Sequence, residues 1–135
     1  MNFNFIPFKL NAELNQYKQQ IKYISADNGV ELYKVRDGLK IEILGILVSD
    51  VNLYFFEASL ITVYIHLNER PDNIERIREI FEKEIGSKGR TDKTDSNIVC
   101  NWVSENDFLG LKVNEKSQNS YIYLTTHKFN IHTIN

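Results

Sequence analysis

Apolar residues recur along this chain in two rhythms, one of two residues and one of three to four. The two-residue rhythm marks strands, whose successive side chains point to opposite faces, and the longer one marks helix faces. Asn11 is suited to cap a helix start. Leu14, Tyr17, Ile21 and Ile24 follow it at spacings of three, four and three, so a first amphipathic helix is expected to fade before the turn Asp27-Asn28-Gly29. Val30 to Val35, Lys40 to Val48, Val51 to Glu57 and Leu60 to Leu67 then read as four strands. Arg36-Asp37-Gly38 is expected to close a hairpin. Gly45 is expected to mark a bulge or close backbone approach, and Ser49-Asp50 and Ala58-Ser59 to link neighbouring strands.

The clearest helix is Pro71 to Ile85, with Asn68 or Arg70 ahead of it. Proline suits its first turn, Asp72 and Glu75 sit at the positive end of its dipole, and Gly86 supplies a left-handed stop. Ile74, Ile77, Ile80, Phe81 and Ile85 form its buried stripe, and charged residues fill the rest. Gly86 to Ser96 reads as a polar loop. Asn97–Val103, Phe108–Val113 and Asn119–Thr126 follow as an antiparallel meander with short polar links. Lys128 to Asn135 either extends the last strand or frays.

These elements predict an α+β fold: two helices packed on one mainly antiparallel curved sheet of about seven strands, in the order α-β-β-β-β-α-β-β-β. Residues 1–135 are expected to form a single domain, with two related helix-plus-meander halves over 8–67 and 68–126. A chain of 135 residues is long enough to bury its own core without a covalent staple.

Charge and composition narrow the function by exclusion. A formal charge of −2 and the lack of any run of four Lys or Arg disfavour nucleic acid as partner. No apolar stretch is long enough to span a membrane. With Cys100 as the single cysteine there is no internal disulfide, and no leader pattern stands at Met1–Ile6, so a cytoplasmic address is expected.

Candidate chemistry is sparse. His66, His127 and His132 stand in no metal-ligand spacing. Cys100 lies mid-strand, away from the cationic setting an activated thiolate needs. Gly86-Ser87-Lys88-Gly89 matches a Gly-x-x-Gly clamp for nucleic-acid backbones, but that clamp joins two helices and this one leads from helix to strand. Neither a catalytic set, a cofactor nor a metal is expected. What remains is a generous supply of sixteen aromatic residues, enough to fill a core and leave some for a binding face. Tyr33, Tyr54, Phe56, Tyr64, His66 and Trp102 are the candidate contact residues, since aromatic side chains anchor interfaces. For Trp102 burial against the second helix is the default expectation, and a contact role is the alternative.

Leu53-Tyr54-Phe55-Phe56, a turn, Leu60-x-x-Val63-x-Ile65, the helix ending at Gly86, the Trp102 strand and the final Tyr121-x-Tyr123 strand together resemble small bacterial domains of the β-lactamase-inhibitor-protein-like fold. The resemblance covers roughly residues 8–126. It implies a non-enzymatic protein-binding module of the immunity or inhibitor type that occludes a toxin or enzyme partner. Inhibitor contact residues do not carry over to this chain, which lacks that family's disulfides. Glu31, Glu42 and Glu57 are acidic positions that could complement a basic partner. The alternative reading is a small enzyme or ligand-binding domain with a site in the concave face of the sheet, using His66 and Tyr64. A homodimer formed through exposed strand edges is a third.

Overall fold

A computed structural model describes residues 1–67 and 73–127 of the chain. Its elements run α1 (Leu14–Tyr17), β1 (Ile21–Asp27), β2 (Val30–Val35), β3 (Glu42–Ile43), β4 (Ile46–Phe56), β5 (Ser59–Leu67), α2 (Ile74–Ile85), β6 (Arg90–Thr94), β7 (Asn97–Val103), β8 (Asp107–Asn114) and β9 (Asn119–Thr126). Among the described residues every strand pairing is antiparallel, and the sheet runs β1-β2-β4-β5-β9-β8-β7-β6, with β3 paired to β4 off that path. Two runs of four neighbouring strands thus meet at a seam between β5 and β9, from Thr62 opposite Thr125 to Leu67 opposite Ser120. The α+β class with one antiparallel sheet agrees with the sequence reading, whereas the strand count and order differ. No described helix is long and apolar enough to cross a membrane.

Two added edge strands, β1 and β6, raise the expected seven to nine among the described residues, and the other differences move strand bounds. The first helix shrinks to one turn, and Ile21 to Asp27 form an edge strand instead. Asn28 and Gly29 both take positive φ and join β1 to β2 as a two-residue hairpin turn, the conformation Asn-Gly favours. Lys40 to Val48 is not one strand: Leu44 and Gly45, also both at positive φ, fold it into the short hairpin β3–β4. Ser49-Asp50 is no link, since β4 runs through it with only a register shift between Val48 and Asp50. Arg36-Asp37-Gly38 turns the chain toward β3 and closes no hairpin between adjacent strands. Within the polar stretch 86–96, Arg90–Thr94 pair with β7 as the second edge of the sheet.

One face of the sheet carries the core. Val51, Leu53 and Phe55 of β4 lie beside Val63 and Ile65 of β5, Ile122 and Leu124 of β9, Leu109, Leu111 and Val113 of β8, and Cys100 and Trp102 of β7. Ile74, Ile77 and Phe81 of α2, Tyr17 of α1 and the N-terminal Phe3, Ile6 and Phe8 close over this inner face. Gly86 ends α2 at φ 82°, donating its N–H to the Glu82 carbonyl. Glu82 also accepts the Gly89 N–H at 3.0 Å and pairs with Arg78, which ties the start of β6 to the helix. Gly89 is there for close approach: a Cβ would sit 2.5 Å from Cys100 Sγ and 2.8 Å from the Trp102 ring. The readings of Asn68, Arg70, Pro71 and Asp72 at the helix start, and of Lys128 to Asn135 including His132, lie outside the described residues.

Candidate functional site: the tyrosine face of the sheet

Alternation along the strands sends a second set of side chains to the opposite, outer face. Residues directly opposite one another on neighbouring strands share a face, so the pairings assign it. Asn52, Tyr64, Tyr123, Gly110 and Asn101 form one row across β4, β5, β9, β8 and β7. Asp50, His66, Tyr121 and Lys112 form the next, and Tyr54, Thr62, Thr125 and Phe108 a third. The described helices all pack on the inner face.

Tyr64 is the hub of this outer layer. Its ring lies 5.8 Å from Tyr54 and 6.0 Å from both Tyr121 and Tyr123. Tyr121 lies 5.8 Å from His66, and Phe108 stacks on Tyr123 at 5.5 Å. Lys112 Nζ stands 5.6 Å from the centre of the Tyr121 ring, within range of a cation–π contact. Lys34 and Asp50 pair at 3.1 Å on the β2 side.

Glycine makes this layer flat. A Cβ on Gly110 would fall 2.2 Å from Tyr123 Cζ, so the Tyr123 ring can lie across β8 only because residue 110 lacks a side chain. Its hydroxyl donates to Asn101 Oδ1 at 3.3 Å. Burial raises the phenol pKa of Tyr54 and Tyr64, and pushes Tyr123 up to about 12, with Tyr64 and Tyr121 adding to the shift. These phenols therefore stay protonated at neutral pH and can both donate and accept hydrogen bonds.

Of the six candidate contact residues, the structure brings Tyr54, Phe56, Tyr64 and His66 to the outer face. Tyr33 and Trp102 go to the other side. Tyr33 stands opposite Leu53 and rests on Phe55, extending the core toward the β1 edge. Trp102 is 2% exposed, meets Phe81 at 6.0 Å and donates its indole N–H to the Ser87 carbonyl at 3.0 Å. It is a core residue, because the parity of β7 puts it with Cys100 under α2. The three acidic positions do not gather on the outer face either: Glu31 lies opposite Phe55, Glu42 is on β3 and Glu57 is in the β4–β5 turn.

Tyr121, Tyr123, Phe108, Lys112 and Asn101 also lie on this face, none of them among the contact residues expected from the sequence. The signal was present in β9, where Tyr121 and Tyr123 alternate with Ile122 and Leu124, so a buried Ile-Leu pair implies outward tyrosines.

Clefts open elsewhere. One of about 110 Å³ lies between Val35–Ile41 and Val48–Val51, and another of about 170 Å³ between the N-terminal segment, Asp107 and Leu124. A third of about 350 Å³ lies beside the β4–β5 turn, and His66 lines none of the three. His127 donates its Nε2–H to the Ser104 carbonyl, 3.1 Å away. Among the described residues no group of three or more His, Cys, Asp or Glu is placed to hold a metal ion. No protein family, curated protein or solved structure matches this chain.

Proposed function

We propose that this protein is a non-enzymatic binding module that uses the tyrosine face to cover a protein partner, in the manner of an immunity or inhibitor protein. One observation carries the reading: Tyr54, Tyr64, Tyr121, Tyr123, Phe108 and His66 form a contiguous ring cluster on the sheet face opposite both helices. Tyrosine supplies large, rigid contact area with a polar tip at low entropic cost, which is why it recurs at binding surfaces. The partner chemistry follows from the groups on the face. The protonated Tyr64 phenol and the Lys112 ammonium are donors, so they suit a surface rich in carbonyls and carboxylates. That differs from the basic partner that Glu31, Glu42 and Glu57 suggested, because those carboxylates lie elsewhere.

A photo-crosslinking side chain placed at position 64, in cells of the source organism, tests the reading. It should capture one protein, and the same probe at Asp92 on the β6 edge should not. The captured protein's activity should fall when it is mixed with the native chain and recover with Tyr121→Ala. Equal capture from both positions, or a captured protein whose activity is indifferent to binding, would count against it.

A further inference from the structure

We propose that β1 is a self-association edge, pairing antiparallel with β1 of a second copy to continue the sheet across a two-fold axis. The two edges of the sheet are built differently. β6 is Arg-Thr-Asp-Lys-Thr, exposed at every residue and charged at three of the five, the usual protection against edge-to-edge pairing. β1 instead exposes Tyr23 at 54% and Ile24 at 46%. Tyr23 also ends an aromatic ladder that runs outward from the core, Phe55 to Tyr33 at 5.4 Å and Tyr33 to Tyr23 at 5.6 Å. A second copy of the strand would cover that ladder's open end.

Charge and parity identify the occupant as another copy of this strand. Lys22 lies opposite Lys34 and Asp27 opposite Val30, both on the outer face, whereas Tyr23 lies opposite Tyr33 and Ala26 opposite Glu31 on the inner one. In a regular strand, Lys22 and Asp27 would point to opposite faces. The irregularity between Tyr23 and Ser25 inserts Ile24 and brings both onto one face. An antiparallel copy can then set Lys22 against Asp27 of its partner, and Asp27 against Lys22, while each Tyr23 meets the small Ala26. Both ion pairs come from one two-fold operation, as a self-complementary interface requires. A single-strand contact is at the small end of interface sizes, so association should be reversible and concentration-dependent.

Sedimentation of the full chain from low micromolar to millimolar concentration tests this independently of the tyrosine-face reading. A monomer–dimer equilibrium is expected. Lys22→Asp or Asp27→Lys alone should weaken it by about tenfold or more, since like charges directly opposite on paired strands repel. The double variant Lys22→Asp/Asp27→Lys should restore association, and circular dichroism should show all three folded. A chain that stays monomeric throughout would overturn the proposal. So would single swaps without effect, or a dimer lost on Asp92→Lys at the other edge.

Discussion

Tyr123 and Trp102 stand on adjacent regions of the same sheet but owe their positions to different constraints. Tyr123 is held flat by the space above Gly110 and by Asn101 at its hydroxyl. Its phenol is raised from the ordinary value near 10 to about 12 in the fold, chiefly by burial. The folded state therefore holds this proton more tightly than the unfolded chain does. The resulting stability is complete below the unfolded pKa and is lost as pH rises through the folded one. Stability measured by urea unfolding should fall from pH 10 upward, and the late phenolate absorbance step should vanish in Tyr123→Phe. Trp102 is held by α2 and the Ser87 carbonyl. Trp102→Ala should cost about 3–5 kcal/mol by the same unfolding assay, as large-to-small core changes do.

At the scale of elements, tight turns decide where strands begin. Asn28-Gly29, Leu44-Gly45 and Glu57-Ala58 each join two strands through two residues at positive φ. The first two use glycine for the second position, and the third places Ala58 at φ 63°. A Cβ there meets the backbone unfavourably, and the turn persists because neighbouring chain pins it. Leu14 donates to the Ala58 carbonyl, and Leu60 exchanges backbone bonds with Asn11 and Ala12. Ala58→Gly should raise stability by about 0.5–1 kcal/mol, read as a higher urea midpoint with unchanged slope. A lower midpoint would mean that the alanine methyl makes a contact worth more than the strain.

Across the whole molecule, the seam between β5 and β9 joins strands that are far apart in the chain. Thr62 and Thr125 face each other there, buried, with hydroxyls 2.8 Å apart, and Thr125 donates to the Ile61 carbonyl at 3.3 Å. Thr62 is then the donor to Thr125. Thr125→Val strands a buried hydroxyl and should cost about 1–3 kcal/mol. Adding Thr62→Val removes the stranded group too, so the double variant should be more stable than Thr125→Val alone. A double-mutant cycle with additive costs would show that the two hydroxyls do not act as a pair.

The strands Val30–Val35, Leu60–Leu67, Asn97–Val103, Phe108–Val113 and Asn119–Thr126, the α2 stripe and its Gly86 stop were legible in the chain, because alternation and helix periodicity are local properties of the backbone. The short stripe Leu14-Tyr17-Ile21-Ile24 was not decisive, since its residues fit a strand edge as well as a helix face. Val35 and Tyr33 across the hairpin settle it, by offering Ile21 and Tyr23 partners no isolated helix would have. Which aromatics meet also depended on long-range pairing. Tyr54, Tyr64, Tyr121 and Tyr123 come from three strands, and only register aligns them, just as register put Trp102 and Tyr33 on the buried side. Local pattern tells a side chain which face to take relative to its neighbours, and the pairing of distant strands determines what waits for it there.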